Sequence, residues 1–227
     1  MRLDKFLTEC GLGSRSEIKN ILSKGKVKLN GRIEKSPKIQ IDLQKDEVLF
    51  ENEKLEYKEF RYYIMNKPEG YITALKDDFC ETVMDILPAW VIKKDLVPVG
   101  RLDKDTEGLL LFTNNGKVNH NLLSPKKHVD KTYYVRLEKD INDDEIKKLE
   151  EGVVILDDYF TKEAKVEKIA TNEIYLTISE GKYHQVKEML KAVENKVVYL
   201  KRTKFGKLSL GELEKGEVKE IELEDII

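Results

Sequence analysis

A carboxylate and a guanidinium lie two residues apart in the middle of the chain, at Asp103 and Arg101. Gly100 precedes them, and residues 109–112 form a wholly apolar run of the length of one buried strand. The following residues 114–116, Asn-Asn-Gly, predict a turn because these residue types tolerate positive φ. We therefore expect a loop that a buried strand holds rigidly, which is typical of catalytic residues. A solvated surface loop is the alternative that the residue types leave open.

The whole segment 100–116 reads G-R-L-D-K-D-T-E-G-L-L-L-F-T-N-N-G. It resembles the signature G-R-L-D-x-x-T-x-G-L-L-L-x-T-N-x-G of the RsuA-type pseudouridine synthases, which isomerise one uridine in ribosomal RNA. It departs from the family's pattern at Phe112, where Leu is common, and at Asn115, where Asp is common. The resemblance implies that Asp103 is the catalytic carboxylate. It also implies that Arg101 supports the active site, by filling the stack that a flipped base leaves or by holding a phosphate.

Two further segments are similar to motifs of the same family. Residues 131–135 match K-x-Y-x-V, which implies that Tyr133 stacks on the target base. Residues 180–189 match E-G-[RK]-x-H-Q-V-[RK]-R-M except at Glu188, and they imply that Lys187 is the cation beside Asp103. Without the family, Tyr133 would be interpreted as ordinary strand packing, and we expect His184 to be a structural histidine.

The segment Lys67-Pro68-x-Gly70 is also similar to a family motif, but a plain hairpin turn explains it equally well. We predict no catalytic role for it. Residues 83–87 are predicted to form a short helix that Pro88 ends.

The first 35 residues are strongly basic, although the chain as a whole carries a net charge of −2. They contain nine bases and four acids, a net charge of +5, whereas residues 212–227 contain two bases and seven acids, a net charge of −5. The basic end is the one expected to meet phosphate. Ser14, with Glu17 three residues later, predicts a capping box for the second of two short helices, and residues 27–31 predict a strand and a hairpin turn.

This amino-terminal pattern resembles the S4-like RNA-binding module, through R-L-D at 2–4, S-R at 14–15 and G-K-V-K-L-N-G at 25–31. The module also occurs in ribosomal proteins, tRNA synthetases and methyltransferases, so it implies an RNA partner and no particular reaction. A capped helical hairpin with a solvated basic face is the alternative. The residues expected to bind RNA are Arg2, Lys5, Ser14, Arg15, Lys19, Lys26, Lys28 and Arg32.

The charged stretch at 52–60 predicts a boundary between two domains: an S4-like domain with its linker at 1–58 and a catalytic domain at 59–227. Many strands with few helices predict an α+β fold around a mixed, mainly antiparallel sheet. The sequence shows no membrane-length apolar run, no signal peptide, no C-x-x-C and no glycine-rich nucleotide motif. We expect a cytoplasmic monomer without a metal or an organic cofactor.

These observations predict an enzyme that forms pseudouridine in ribosomal RNA. The segment 123–126 and the carboxyl terminus, which lacks a long basic tail, resemble the small-subunit (16S) enzyme more than its large-subunit relatives. The same chemistry on 23S RNA is one alternative. A non-catalytic S4-type assembly factor, in which Asp103 and Lys187 need not converge, is a second. A glycoside hydrolase that uses Asp103 and Asp105 is a third, and its two carboxyl groups would be about 5–9.5 Å apart.

Overall fold

The structure is a computed structural model that describes residues 1–124, 127–156 and 158–227. Two positions of the segment 123–126, Pro125 and Lys126, therefore lie outside the described residues. The chain divides into two compact units, Met1–Phe60 with Ala89–Lys94, and Arg61–Pro88 with Asp95–Ile227. The sequence did not predict that Ala89–Lys94 belongs with the first unit. A functional boundary at residue 58 remains a proposal.

The first unit combines two helices with a four-stranded antiparallel sheet in the order β2-β1-β3-β4. Its elements are α1 (Leu3–Glu9), α2 (Arg15–Ser23), β1 (Val27–Leu29), β2 (Arg32–Ile33), β3 (Val48–Phe50) and β4 (Glu53–Lys54).

The second unit is built on a larger sheet, whose main path is β11-β12-β8-β13-β7-β5-β15, with β14 beside β13 and β6 beside β7. Every pairing is antiparallel except that between β13 and β7, which is parallel. This mixed, mainly antiparallel sheet confirms the predicted α+β class. The strands are β5 (Tyr62–Lys67), β6 (Val97–Val99), β7 (Glu107–Thr113), β8 (Lys131–Leu137), β9 (Val154–Ile155), β10 (Tyr159–Phe160), β11 (Lys165–Ala170), β12 (Glu173–Ile178), β13 (Val197–Phe205), β14 (Leu208–Ser209) and β15 (Val218–Ile221), and the helices are α3 (Gly116–Leu123), α4 (Asp143–Glu151), α5 (Gln185–Ala192) and α6 (Leu223–Ile226).

Local signals in the first unit fold as their sequence predicts. The Ser14 and Glu17 side chains each bond to the other residue's backbone N–H, so that the capping box opens α2. The turn between β1 and β2 places Asn30 and Gly31 at φ 50° and 80°. The helices turn their apolar stripes onto one core, which contains Leu3, Phe6, Leu7, Ile18, Leu22, Val27, Ile41 and Val48.

Strands β5 and β7 form the buried centre of the second unit, and every residue of both strands is buried. Beside them, β7 and β13 approach so closely that a Cβ on Gly108 would lie 2.2 Å from the carbonyl oxygen of Arg202. Gly108 also has φ +105°, which favours glycine. The loop that carries Asp103 leads directly into β7, so this packed centre fixes the position of the loop.

One local prediction was wrong, because residues 83–87 form turns and no helix. The Asp85 carboxylate accepts hydrogen bonds from both the backbone N–H and the hydroxyl of Thr82, at 2.8 Å each. Such side-chain bonds to the nearby backbone compete with helix formation. Of the helices in the described parts of the chain, none has both the length and the apolarity to cross a membrane.

Candidate active site

The Asp103 loop is tied to the turn that follows β5. The hydroxyl of Thr73 donates to the carbonyl oxygen of Leu102 at 2.8 Å and accepts from its N–H at 3.1 Å. The N–H of Gly70 donates to the carbonyl of Lys104 at 2.8 Å. These bonds hold the backbone of the loop on both sides of Asp103.

Lys67, at the end of β5, is the central anchor of this loop. Its side chain is fully buried (0% exposed), and its Nζ donates to the carbonyl oxygens of Thr106 at 2.9 Å, Asp103 at 3.0 Å and Pro68 at 3.1 Å. Burial lowers the pKa of Lys67 to about 8, although the nearby Asp105 and Asp103 carboxylates oppose the shift. The motif interpreted as a plain hairpin turn thus positions the backbone of Asp103.

The Asp103 side chain meets a cation from the helix α5. The Lys187 Nζ lies 3.2 Å from Asp103 Oδ2 and 2.6 Å from Asp105 Oδ1, so one ammonium bridges two carboxylates. Burial alone would lower the pKa of Lys187, but the hydrogen bonds to Asp105 and Asp103 outweigh burial and raise it. For Asp105, burial raises the pKa, but the bond to Lys187 outweighs burial and lowers it. The structure therefore brings together the two residues whose pairing the sequence predicted.

His184 lies beside the other oxygen of the Asp103 carboxylate. Its Nε2 lies 3.4 Å from Asp103 Oδ1, and its ring stacks on that of Tyr183 with centroids 3.8 Å apart. His184 is the residue before α5 and has the left-handed φ of 48°. Asp103 thus has a nitrogen beside each carboxylate oxygen, a role for His184 that the sequence did not predict.

A cleft of about 1210 Å³ opens beside Asp103, within the second unit. Arg101, which is exposed, and Tyr133, which is 8% exposed, both line it. Tyr133 lies on β8 with Leu176 and Arg202 as its neighbours across the sheet. The cleft is therefore lined by the predicted carboxylate, the predicted aromatic face and both predicted cations. Within the described part of the chain, no three histidine, cysteine or acidic side chains converge as metal ligands would.

The predicted RNA-binding residues of the first unit fall into two groups. Some bond within the unit: Arg2 pairs with Asp4 at 2.6 Å, Lys26 with Glu51 at 2.5 Å, Lys28 donates to Asn52 at 2.9 Å, and Ser14 caps α2. The other group is exposed and forms no ion pair with any described residue. It consists of Lys5, Arg15, Lys19 and Arg32.

Sequence reasoning missed Lys67, His184 and the second carboxylate on Lys187. The position of Lys67 offered one signal, since it ends a run that begins with Tyr-Tyr-Ile-Met and so enters the core with its strand. His184 stands at a fixed position of the motif at 180–189, but no local signal indicated the contacts of Asp105 or His184, because these contacts join residues about 80 positions apart in the chain.

Comparison with known proteins gives consistent matches over both units. Residues 61–192 match the family model described as RNA pseudouridylate synthase, and residues 1–48 match that of the S4 domain. The chain is 49% identical to an uncharacterized RNA pseudouridine synthase of Bacillus subtilis, covering 100% of this chain and 97% of that protein. It is 39% identical to ribosomal small subunit pseudouridine synthase A of Haemophilus influenzae, covering 100% and 98%. A crystal structure of a pseudouridylate synthase, 38% identical, aligns with a TM-score of 0.69 over 100% of this chain and 98% of that one.

Proposed function

Because the chain belongs to the RNA pseudouridylate synthase family and carries an S4 domain, we propose that it isomerises one uridine of 16S ribosomal RNA with Asp103 as its catalytic carboxylate. The small-subunit choice is supported by relatives named ribosomal small subunit pseudouridine synthase A, which are 36–39% identical over the full chain. The proposed partner is therefore ribosomal RNA. We also propose that the protein acts as a monomer in the cytoplasm, where that RNA is made.

The proposed reaction breaks the bond between N1 of uracil and C1′ of ribose, turns the base, and joins C5 to C1′. The C5 proton is lost and N1 gains a proton, so the product is an isomer of the substrate. No electrons and no water are consumed, which supports a reaction without a cofactor. An ionised carboxylate in the cleft suits this reaction, since it can stabilise or attack the electron-poor centre and can exchange a proton.

The convergence of Asp103 and Lys187 is the observation that carries this proposal. A partly buried carboxylate is costly to ionise unless a cation compensates, and Lys187 supplies that charge at 3.2 Å. Lys67 holds the backbone of the same residue, and the His184 ring lies 3.4 Å from its side chain. Two further residues line the same cleft. Tyr133 is proposed to stack on the target base, and Arg101 to fill the stack that the flipped base leaves or to hold a phosphate.

The alternatives account for less of this geometry. A non-catalytic assembly factor has no need for Asp103 and Lys187 to meet 84 positions apart in the chain. A glycoside hydrolase with Asp105 as its general acid would need a raised pKa at that residue, whereas the pKa of Asp105 is lowered by its bond to Lys187. Pseudouridine formation uses a single ionised carboxylate and fits the bridging lysine.

The test is tritium release from ribosomal RNA that carries [5-³H]uridine, because forming the new bond at C5 expels that hydrogen. We expect release by the wild-type protein and none above background by Asp103→Asn, which is nearly isosteric. The Tm values of the two proteins should agree within a few degrees, and this comparison serves as the folding control. Mapping the modified position by sequencing distinguishes 16S from 23S RNA. Turnover retained in Asp103→Asn would contradict the proposed mechanism.

A further inference from the structure

Two cations lie over one aromatic ring in the lining of the cleft. The Lys131 Nζ lies 5.5 Å from the centroid of the Phe205 ring, and the Arg202 guanidinium lies 5.1 Å from it. All three residues line the cleft that contains Tyr133. We refer to Lys131, Arg202, Phe205 and Thr106 as the cationic pocket.

The charges of this pocket are not neutralised within the protein. The Arg202 Nε donates to the Leu109 carbonyl at 2.8 Å and the Lys131 Nζ donates to the Val129 carbonyl at 2.7 Å, but neither residue forms an ion pair with a described carboxylate. Arg202 is 2% exposed, and its Nη2 has no hydrogen-bond partner in the described residues. Buried charges are normally paired, and an unpaired one is costly.

The acidic residues nearest to the pocket are engaged elsewhere or face solvent. The Glu180 carboxylate accepts hydrogen bonds from the Tyr159 hydroxyl at 2.6 Å, the Lys162 N–H at 3.0 Å and the Gln185 amide at 3.1 Å. Asp130 is exposed. Burial, together with the charge of Arg202, lowers the pKa of Lys131 to about 8. The pocket therefore has an excess of positive charge that a ligand would neutralise.

A hydroxyl lines the same cleft as the two cations. Thr106 is buried, its Oγ1 has no partner among the described groups, and the residue lines the same cleft. Guanidinium, ammonium and hydroxyl groups together suit the oxygens of a phosphate, which accept several charge-assisted hydrogen bonds at once.

We propose that Lys131, Arg202 and Thr106 bind one phosphodiester group of the RNA, beside the nucleotide that stacks on Tyr133. This inference rests on the proposed function, because the phosphate belongs to the RNA substrate. Arg202 is the direct cross-strand neighbour of Tyr133, and Lys131 lies two residues before Tyr133 on the same face of β8. The phosphate thereby sets the register of the strand in the cleft, while the aromatic ring receives the base.

A keto oxygen of the base is the other acceptor that a guanidinium could bind, but it carries no net charge. One neutral oxygen would leave two cations uncompensated, whereas a phosphodiester brings a full negative charge. The excess charge therefore favours phosphate.

The test follows Lys131 by NMR in the full-length protein labelled with ¹³C-lysine. Its ε-methylene signal is identified by its loss in Lys131→Met. We record this signal as a function of pH at fixed ionic strength, without ligand and with uridine 5′-monophosphate, uridine or inorganic phosphate. The nucleotide and phosphate should raise the pKa of Lys131, whereas uridine, which carries no charge, should leave that pKa unchanged. Arg202→Met should weaken nucleotide binding at least tenfold, and Lys204→Met, an exposed position on the same strand, should leave it unchanged.

The outcomes separate this inference from the proposed function. Equal changes of the Lys131 pKa with uridine and its monophosphate would overturn the phosphate assignment in favour of a keto oxygen. No change of this pKa with the nucleotide, or a change with inorganic phosphate alone, would overturn it as well. Should Arg202→Met fail to fold, Lys131→Met remains a test: on ribosomal RNA it should raise KM about tenfold with kcat within about twofold of wild type. If the nucleotide raises the Lys131 pKa but the protein releases no tritium from RNA, the proposed function is refuted and the assignment of the phosphate pocket still stands.

Discussion

At the scale of single residues, one ammonium group serves two carboxylates. Lys187 is 2.6 Å from Asp105 and 3.2 Å from Asp103, so the residue proposed as catalytic has the longer of the two contacts. Asp105 therefore holds Lys187 in place while leaving the Asp103 carboxylate less tightly bound. An ion pair that is too tight would reduce the reactivity of the carboxylate, and an absent one would leave it without its neighbouring charge.

Replacing Lys187 with Met should lower kcat for pseudouridine formation by about 10² or more, because the preorganised charge beside Asp103 is lost. Asp105→Asn should lower kcat by less than Lys187→Met does, since Lys187 keeps its contact with Asp103. The double variant Asp103→Asn with Lys187→Met should be no worse than Asp103→Asn alone, because the two residues act as one unit. Single-turnover tritium release measures all three. Full activity in Lys187→Met would show that the ion pair is only structural.

The contribution of Lys67, which anchors the same loop, to the stability of the protein depends on pH. Its pKa is about 8 in the folded protein and has the ordinary value of 10.5 when the chain unfolds. Between these values the unfolded state binds more protons, so the contribution of Lys67 to stability rises as the pH increases from about 8 to 10.5. The full change for one such group is up to about 3 kcal/mol. Below pH 8 this gain is absent, because Lys67 is protonated in both states.

Urea unfolding at several pH values from 7.5 to 10.5 tests this statement. In Lys67→Met the free energy of unfolding should be lower at every pH, because buried carbonyl oxygens lose their donor. It should also rise less steeply with pH than in the wild-type protein. Lys165→Met, at an exposed position on β11, is the control and should keep the wild-type slope. Identical slopes in Lys67→Met and wild type would show that Lys67 does not titrate in this range.

At the scale of elements, the parallel contact between β13 and β7 places the cationic pocket and the Asp103 loop side by side. Gly108 permits that contact, since any Cβ would meet the Arg202 carbonyl oxygen at 2.2 Å and the Arg202 nitrogen at 2.7 Å. Gly108→Ala should therefore destabilise the protein by about 3 kcal/mol or more, through overlap with the backbone and strain at positive φ.

Gly116→Ala is a matched control for this prediction. Gly116 opens α3, has an ordinary φ, and its added Cβ would meet nothing within 4 Å. Alanine there should be neutral or stabilise by up to about 1 kcal/mol. Chemical unfolding of both variants gives the comparison. Similar stabilities would contradict the assigned role of Gly108.

Local features of these elements could be predicted from the sequence, and their long-range contacts could not. The capping box of α2 and the buried run within β7 depend on neighbouring residues, and both were correct. The predicted helix at 83–87 failed because the Asp85 side chain binds nearby backbone and hydroxyl groups. The contacts of Lys67 and Arg202 form when strands distant in the chain come together, and no spacing in the sequence predicts these contacts. The Asp103–Lys187 pair was predicted only through the family resemblance.

At the scale of the whole molecule, charge is distributed between a basic amino-terminal unit and a cleft with its own cations. Part of the basic charge in the first unit is already used within that unit, by Arg2 with Asp4 and by Lys26 with Glu51. Another stabilising contact in this unit comes from the segment Ala89–Lys94, where Lys94 pairs with Glu9. Residues beyond position 58 thus belong to the first unit, so variants of the full chain are better suited to testing it than a truncation.

The last prediction compares two double variants that remove the same charge from the first unit. Arg15→Gln with Lys19→Gln removes exposed bases that form no ion pair with a described residue, and Lys26→Gln with Lys28→Gln removes bases that bond to Glu51 and Asn52. Each phosphate contact contributes about 0.7 to the slope of log K against log salt for single-stranded nucleic acid. For two phosphate contacts, Arg15→Gln with Lys19→Gln should flatten that slope by about 1.4 for transcribed 16S RNA. The other pair should flatten it less, because Glu51 and Asn52 already engage Lys26 and Lys28 within the protein. Salt titrations of RNA binding give both slopes. Unchanged slopes in both variants would contradict an RNA-binding role for these four bases. Equal losses would show that internal pairing does not keep Lys26 and Lys28 from phosphate.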